Sequence, residues 1–172
     1  MRLFVAVNFP PETVDAISAL QGRLRGAEPR GSWSRRENLH LTLAFLGEQP
    51  RERLDAAREA MDAALFRPLT LVFDRLGRFR RGEGDIWWLG AAPNPALEAA
   101  QRRLARELAA RGFALEERRF VPHLTLARRV PPAGAEPPGL EFAPVEAPAG
   151  RISLMLSERP GGKLTYTELY SC

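Results

Sequence analysis

Two histidines open two copies of the same four-residue stretch, and the chain contains no other histidine. The stretch reads His-Leu-Thr-Leu and occupies residues 40–43 and 123–126. In a β-strand, side chains alternate between the two faces, so residues i and i+2 point the same way. We therefore expect each histidine to share one face with its threonine, while the two leucines pack on the opposite face.

This pattern suits acid–base chemistry at phosphorus. Imidazole has an ordinary pKa of about 6.5, so one ring can be charged while another is neutral. Two rings across a groove can act as general base and general acid, each proton transfer contributing roughly 10²- to 10⁴-fold in rate. In-line displacement at phosphorus needs such a pair, one ring to deprotonate a water and one to protonate the departing oxygen. Thr42 and Thr125 can donate to the charged oxygens, and Arg128 follows the second stretch closely enough to neutralise them.

The two stretches belong to a longer internal repeat. The histidines are 123 − 40 = 83 residues apart, and at the same offset the apolar residues 3–9 fall on residues 86–92 and Pro10 falls on Pro93. Such self-similarity indicates a duplicated structural unit. We predict a single domain over residues 1–172 made of two related lobes, with halves of roughly 1–84 and 85–172. If they pack about a pseudo-twofold axis, both His–Thr pairs face one groove.

Other interpretations of the histidines remain open. A histidine is commonly an ordinary core or surface residue, and a duplicated histidine can be a structural remnant of gene duplication. Two histidines could also hold a metal, but zinc sites use three or four ligands. No acidic residue or cysteine accompanies both stretches at a repeated position, since Glu37 is matched by Phe120. The sequence therefore predicts no metal and no cofactor, and it has no glycine-rich phosphate loop with a lysine.

Length and composition are those of an ordinary globular protein. The chain has 172 residues, of which 45% are hydrophobic and 27% charged. No apolar run approaches the roughly 20 residues that a membrane span needs, and the N-terminus lacks a signal-peptide pattern. The lone cysteine, Cys172, excludes a disulfide framework. These features predict a cytoplasmic protein that does not bind membranes, and nothing in them requires more than a monomer.

The chain has a net charge of +4, and almost all of its basic residues are arginines. Lys163 is the one lysine among 25 basic residues, which leaves 25 − 1 = 24 arginines. The planar guanidinium binds phosphate well, so an anionic partner is one interpretation. The other is genome composition, because Ala, Gly, Pro and Arg are abundant together.

Periodicity predicts an α+β fold that is mostly antiparallel with its helices outside. The expected strands cover residues 3–9, 38–46, 69–73, 86–89, 120–128, 152–156 and 164–170. The expected helices carry apolar stripes over residues 14–24, 54–65 and 97–108. Residues 78–85 read as a basic turn, and residues 130–150, with six prolines and no helical stripe, read as a loop.

At these residues the chain resembles the two-histidine (2H) phosphoesterases. Within that superfamily it is similar to the bacterial and archaeal RNA 2′,3′-cyclic phosphodiesterases, also called 2′-5′ RNA ligase-like proteins. The matching stretches are residues 1–7, 37–47 and 120–128, and the paired His-x-Thr-x motifs are the diagnostic part. Weaker matches at residues 156–157 and 166–167 extend the similarity over nearly the whole chain.

The resemblance implies a bilobal fold with two mostly antiparallel sheets that line a central cleft. It implies metal-independent hydrolysis of a 2′,3′-cyclic phosphate, on RNA ends or on nucleotides, to a 2′-phosphomonoester. In the family the first motif histidine is the proton donor and the second the acceptor, which here means His40 and His123. Thr42 and Thr125 carry over as phosphate binders, with Arg128 as a further one. The proline-rich segment departs from the family and puts in question how the cleft is covered.

Aromatic residues near the motifs could stack on a base, an interaction of roughly 1–3 kcal/mol in single-strand binders. Phe45 and Phe79 are the candidates, while Trp87 and Trp88 fit the core better. Phe79 lies between arginines on the basic turn, for which a plain solvated turn is the alternative. Two alternative functions also remain, namely RNA ligation by the reverse reaction and RNA binding without catalysis.

Overall fold

The computed structural model describes residues 1–28, 30–131 and 140–172. Within these ranges the chain forms three α-helices and nine β-strands. The helices are α1 (Pro11–Ala27), α2 (Leu54–Ala64) and α3 (Pro95–Ala110). The strands are β1 (Arg2–Val7), β2 (Ser32–Trp33), β3 (Leu41–Glu48), β4 (Leu69–Phe79), β5 (Asp85–Ala91), β6 (His123–Val130), β7 (Val145–Ala149), β8 (Ser153–Glu158) and β9 (Thr165–Ser171).

The strands form one antiparallel sheet in the order β7-β4-β5-β6-β3-β1-β8-β9, with the short β2 beside β6. The two central strands, β6 and β3, are in register at a single pair, Leu41 with Leu124. The sheet therefore consists of two four-stranded lobes that join at the second residue of each His-Leu-Thr-Leu stretch. This confirms the mostly antiparallel α+β class, and it shows that the two expected sheets are continuous with each other.

The order of strands is the same in both lobes when read outward from the centre. The first lobe contains β3, β1, β8 and β9, and the second contains β6, β5, β4 and β7. The offset of 83 residues relates β3 to β6, β1 to β5 and α1 to α3. Each lobe nevertheless takes strands from both sides of residue 84, because β4 lies beside β5 while β8 lies beside β1. The division at residue 84 describes the repeat in sequence, and it stays a prediction for domain organisation.

Alternation of side chains along the central strands produces two different surfaces. The leucines of both stretches are at most 3% exposed and belong to the main core, whereas the histidines and threonines remain partly exposed. On β1, Leu3, Val5 and Val7 join the same core. Phe4 and Ala6 point to the other face, where they pack with Met155. The period of two thus separates a buried leucine face from a face that is available for chemistry.

The helices follow local sequence signals. Pro11 and Pro95 stand at the first turns of α1 and α3, where a missing N–H has no intrahelical partner to lose. Asn94 caps α3, its side-chain oxygen accepting a hydrogen bond from the Leu97 N–H. α2 and α3 pack against each other. No helix in the described ranges is long and apolar enough to cross a membrane.

Strands also occur in three parts of the chain for which no strand was predicted. The loop prediction for residues 130–150 was wrong at its end, where Val145–Ala149 forms β7 and pairs with β4. Because β7 lies at the sheet edge, its second side needs no donor, and Pro148 is tolerated there. Residues 132–139 of that segment lie outside the described residues. Ser32–Trp33 forms β2, and the basic turn is shorter than expected because β4 continues to Phe79.

Candidate active site

His40 and His123 stand at the junction of the two lobes. His40 immediately precedes β3 and His123 is the first residue of β6, the two strands that meet at the Leu41–Leu124 pair. Both His–Thr pairs line one cavity of about 140 Å³. The geometry therefore places two imidazoles and two hydroxyls around a space small enough for a phosphate group.

All seven residues predicted for the site lie around this cavity. Its lining includes His40, Thr42, Phe45, Phe79, His123, Thr125 and Arg128. Of the tryptophans expected in the core, Trp87 is 6% exposed. Trp88 is only half-buried, and its ring centroid lies 6.1 Å from that of His123. The structure brings the predicted residues together, while their individual roles stay predictions.

Local backbone geometry fixes the His40 ring. Its Nδ1 lies 2.7 Å from the carbonyl oxygen of Asn38. A carbonyl oxygen can only accept, so Nδ1 carries a hydrogen and donates it. Nε2 lies 3.1 Å from Thr42 Oγ1 and accepts from that hydroxyl when the ring is neutral. Nε2 is therefore the atom that gains or loses a proton.

His123 is held in the same way. Its Nδ1 lies 2.6 Å from the carbonyl oxygen of Val121, again two residues upstream. The ring packs edge-on against Phe79, with centroids 4.9 Å apart. Here too Nδ1–H donates to the backbone, which leaves Nε2 as the titrating atom. The repeat has thus preserved the tautomer of the histidine as well as its position.

Aromatic rings surround His40 on two sides. Phe4 lies 4.9 Å away and Tyr166 lies 5.0 Å away between ring centroids, the latter edge-on. Phe4 and Tyr166 also contact each other, at 5.0 Å. These contacts restrict the ring and exclude water from its sides.

Burial lowers the pKa of both histidines, because an apolar environment disfavours the charged ring. The pKa of His40 falls to about 4; the nearby Arg128 and His123 add to the effect, and the Asn38 carbonyl opposes it. The pKa of His123 is also lowered by burial, with further contributions from Arg118 and Arg128. Both rings remain partly exposed at the cleft, where solvent moderates these effects. Both rings are therefore neutral at neutral pH.

Three residues that line the cavity were missed, namely Arg81, Ile86 and Arg118. A signal for Arg118 was present in the sequence. Arg-Arg pairs occur at residues 35–36 and 118–119, so the repeat offset of 118 − 35 = 83 continues upstream of the motifs. Tyr166, which packs on His40, lies in the family match at residues 166–167, but its place at the site depends on how β9 pairs with β8.

An apolar pocket adjoins the cavity on the side of α3. Phe45 and Phe79 line both spaces, and Ala105, Leu115 and Phe120 extend the apolar lining. Phe45 is 39% exposed, which is unusual for a side chain of its size. Flat apolar surfaces of this kind are suited to a nucleobase.

In the ranges that the structure describes, no group of three or more His, Cys, Asp or Glu side chains is arranged to hold a metal ion. The titratable groups of the cavity are the two histidines and the arginines Arg81, Arg118 and Arg128. This donor set is suited to an anion.

A model of the 2′-5′ RNA ligase superfamily matches residues 9–161. The chain belongs to the 2′-5′ RNA ligase superfamily. Its relatives include two proteins named RNA 2′,3′-cyclic phosphodiesterase. The one from Thermus thermophilus is 36% identical over 186 aligned positions, which cover 98% of this chain and 88% of the relative. The one from Escherichia coli is 31% identical over 172 aligned positions, which cover 98% of this chain and 93% of the relative. The relative from Thermotoga maritima is 30% identical over 179 positions, 100% of this chain and 95% of its own. The chain spans 41% of the length of the relative from Geobacillus stearothermophilus.

Solved structures of superfamily members have the same fold. Escherichia coli LigT complexed with 3′-AMP matches with a TM-score of 0.83 at 28% identity, covering 99% of this chain and 96% of that one. TT0787 of Thermus thermophilus matches with a TM-score of 0.76 at 34% identity and the same coverages. The family resemblance expected from the paired His-x-Thr-x motifs is thereby confirmed.

Proposed function

We propose that this chain hydrolyses 2′,3′-cyclic phosphates, at RNA ends or on nucleotides, to 2′-phosphomonoesters without a metal ion. The observation that carries the proposal is that one cavity is lined by both His–Thr pairs and by Arg128. Relatives that match at 30–36% identity over most of this chain are named RNA 2′,3′-cyclic phosphodiesterase, in agreement with that chemistry.

In the proposed reaction His123 is the base and His40 the acid, an assignment that follows the family resemblance. Nε2 of His123 takes a proton from water as the water oxygen bonds to phosphorus. The bond between phosphorus and O3′ breaks in line with that attack, and Nε2 of His40 gives its proton to O3′. The product keeps the phosphate on O2′ and has a free 3′-hydroxyl.

The remaining cavity residues bind the substrate in this proposal. Hydroxyls of Thr42 and Thr125 donate to the non-bridging oxygens, and the Arg128 guanidinium balances their charge. Phe45 and Phe79 position the terminal base in the apolar pocket beside α3.

Substrate binding also supplies the protonation state that the reaction needs. Burial lowers the pKa of His40, yet this ring must carry a proton to act as the acid. A phosphate anion nearby favours the imidazolium and raises its pKa. Binding of the phosphate anion therefore favours protonation of His40 at Nε2, and this proton is later donated to O3′.

The test is turnover of 2′,3′-cyclic AMP by wild type, His40→Ala and His123→Ala, each with and without EDTA. Each variant is expected to lose roughly 10²- to 10⁴-fold in kcat, the usual contribution of one proton transfer. EDTA is expected to have no effect, and the product should be the 2′-phosphomonoester. Circular dichroism checks that each variant is folded. Wild-type activity in a folded variant would refute the two-histidine mechanism.

Ligation is the second candidate, favoured by the superfamily to which the chain belongs. A 5′-hydroxyl in place of water would attack the same phosphorus and break the same P–O3′ bond, which gives a 2′-5′ linkage. Incubating an RNA that ends in a 2′,3′-cyclic phosphate with a 5′-hydroxyl RNA separates the two outcomes by product length. Salt-dependent binding without either product would instead indicate a binding module.

We propose further that the protein acts as a monomer in the cytoplasm. Within the described residues, Met1, Phe45 and Leu65 are the exposed large apolar side chains, and such scattered residues do not form a subunit interface. Light scattering after size exclusion tests this, with a mass near 19.2 kDa expected.

A further inference from the structure

A second space opens from the catalytic cavity, and its chemistry differs from that of the apolar pocket. It has a volume of about 570 Å³ and shares His40, Thr125 and Arg128 with the cavity. Its wall carries five arginines and one acidic residue, Glu83. We call this space the arginine groove, after Arg35, Arg81, Arg128, Arg129 and Arg159.

Most of these arginines are available to bind a ligand. Arg35 pairs with Glu37 at 2.7 Å and donates to the carbonyl oxygen of Leu164. In the part of the chain that the structure describes, the other four form no ion pair. Unpaired arginines concentrated along one groove produce a strong attraction for anions.

A third space near Phe4 does not have this character. It is lined by Arg2, Arg128 and Arg159, but also by three glutamates. Those glutamates are Glu48, Glu116 and Glu158. Because three glutamates offset the positive charges of this space and only one lines the groove, a polyanion is attracted to the arginine groove in preference to the third space.

We propose that the arginine groove binds the RNA strand on the 5′ side of the cyclic phosphate, with Arg129 and Arg159 on its backbone phosphates. The inference rests on the proposed function and names the substrate class of the site. A guanidinium binds two phosphate oxygens through its planar fork, which suits a chain of phosphates. The protein therefore prefers an RNA end to a free cyclic mononucleotide.

Strand direction follows from the chemistry of the substrate. A 2′,3′-cyclic phosphate occupies both O2′ and O3′ of the terminal ribose, so the chain can continue only through O5′. With the terminal base in the apolar pocket, the 5′ strand leaves through the remaining opening that carries net positive charge. The arginine groove is that opening.

The experiment compares kcat/KM for 2′,3′-cyclic AMP with that for a trinucleotide ending in a 2′,3′-cyclic phosphate. Wild type is expected to prefer the trinucleotide by about tenfold or more, since charge-assisted hydrogen bonds to phosphate are strong. Arg129→Gln/Arg159→Gln is expected to reduce this preference to within about threefold. Its turnover of 2′,3′-cyclic AMP should stay within about twofold of wild type, because neither arginine lines the catalytic cavity.

A matched control removes the same charge elsewhere. Arg25 and Arg67 are exposed and line neither the cavity nor the groove. Arg25→Gln/Arg67→Gln should retain the full preference for the trinucleotide. An equal loss in both double variants would attribute the effect to net charge and overturn the proposal.

Binding tests the groove without turnover. Fluorescence anisotropy with a labelled trinucleotide that ends in a 2′-phosphate should show a log K against log [salt] slope of about −0.7 per bound phosphate. In Arg129→Gln/Arg159→Gln the slope should be less steep by about 1.4, because two phosphate contacts of about 0.7 each are removed. If wild type lacks hydrolysis but shows this binding, the proposed function fails and the groove stands. If wild type hydrolyses both substrates equally well and the slope is unchanged in the variant, the groove proposal fails alone.

Discussion

At the level of single residues, each of the two imidazoles is oriented by the carbonyl oxygen two positions upstream. The contacts from His40 to Asn38 and from His123 to Val121 are both local in sequence. Asn38 and Val121 differ in side chain, but the acceptor is a backbone carbonyl that every residue has, so the contact recurs with the motif. Arg118 and Tyr166 reach the site through the tertiary structure, and neither was selected as a site residue from the motifs.

Because the chain has two histidines, their titration can be followed by NMR without ambiguity from other imidazoles. Both ring signals are expected to titrate below pH 6.5, with His40 near pH 4. Adding inorganic phosphate should move both midpoints upward, because the anion stabilises each imidazolium.

The His40→Gln variant assigns the two signals, since it removes one of them. A His40 midpoint at or above 6.5 in the free protein would show that the aromatic surroundings of the ring do not disfavour its charge. A midpoint that phosphate leaves unchanged would contradict the proposed recruitment of a proton by substrate.

The low pKa of His40 also predicts loss of stability in acid. Between pH 6.5 and about 4 the unfolded chain binds a proton that the folded chain does not, so the free energy of unfolding falls as pH falls. The loss from this residue is expected to be roughly 1–3 kcal/mol, reduced by the partial exposure of the ring. Urea unfolding at pH 7.0 and pH 4.5 measures it.

The control for acid stability is the His40→Gln variant, because a glutamine at position 40 cannot titrate. The quantity to compare is the pH dependence of the free energy of unfolding. Carboxylates contribute to acid unfolding in both proteins, so the difference between their pH dependences isolates the histidine. Equal dependences in wild type and variant would show that His40 titrates alike in the folded and unfolded chains.

At the level of elements, the β4–β5 hairpin supports one side of the site through a glycine. Gly77 pairs with Trp88, and a Cβ added at Gly77 would overlap the Trp88 ring. Trp88 in turn packs against Phe79, with centroids 5.2 Å apart, and Phe79 packs on His123. The hairpin therefore holds the aromatic side of the cavity only if residue 77 has no side chain.

Gly77→Ala is expected to destabilise the protein by about 1–3 kcal/mol, the usual cost of overpacking, and to lower kcat/KM by displacing Trp88 and Phe79. Gly22→Ala is the control, because Gly22 lies within α1 with no atom within 4 Å of an added Cβ. It should stabilise the protein by about 0.5–1 kcal/mol and leave activity unchanged. Thermal unfolding and turnover of 2′,3′-cyclic AMP measure both. A Gly77→Ala protein as stable and active as wild type would contradict this role.

Sequence reasoning found the elements that have strong periodicity and missed those that depend on their neighbours. α1, α3 and the two motif strands carry apolar stripes or alternation, and they were predicted close to their observed positions. β7 contains Pro148, and it forms because it pairs with the free edge of β4. A pairing between distant segments leaves no pattern in the local sequence. β2 has two residues and is a strand only because it pairs with β6.

At the level of the whole molecule, the two halves of the sequence exchange strands, so that each lobe contains strands from both halves. β1 pairs with β3 and with β8, whereas β4 pairs with β5 and with β7. Strands of each lobe therefore come from both sides of residue 84, even though the repeat divides the sequence there. The exchange was not predictable from the repeat, since similar halves can pack as separate units or can exchange parts.

A fragment of residues 1–84 is expected to remain unfolded on its own. It would contain β4 without either partner and β1 without β8, and unpaired backbone groups are unfavourable when buried. Far-UV circular dichroism and urea titration of this fragment test the expectation, with the full chain as control. A cooperative unfolding transition in the fragment would instead support the two halves as autonomous units.

Exchange of strands also has a consequence for synthesis on the ribosome. β1 cannot complete its pairing until β8, residues 153–158, has been translated. The N–H and C=O groups on one edge of β1 stay unpaired until then, and an unpaired strand edge is a template for aggregation. A chain that terminated before residue 153 would keep β1 at an open edge of the sheet.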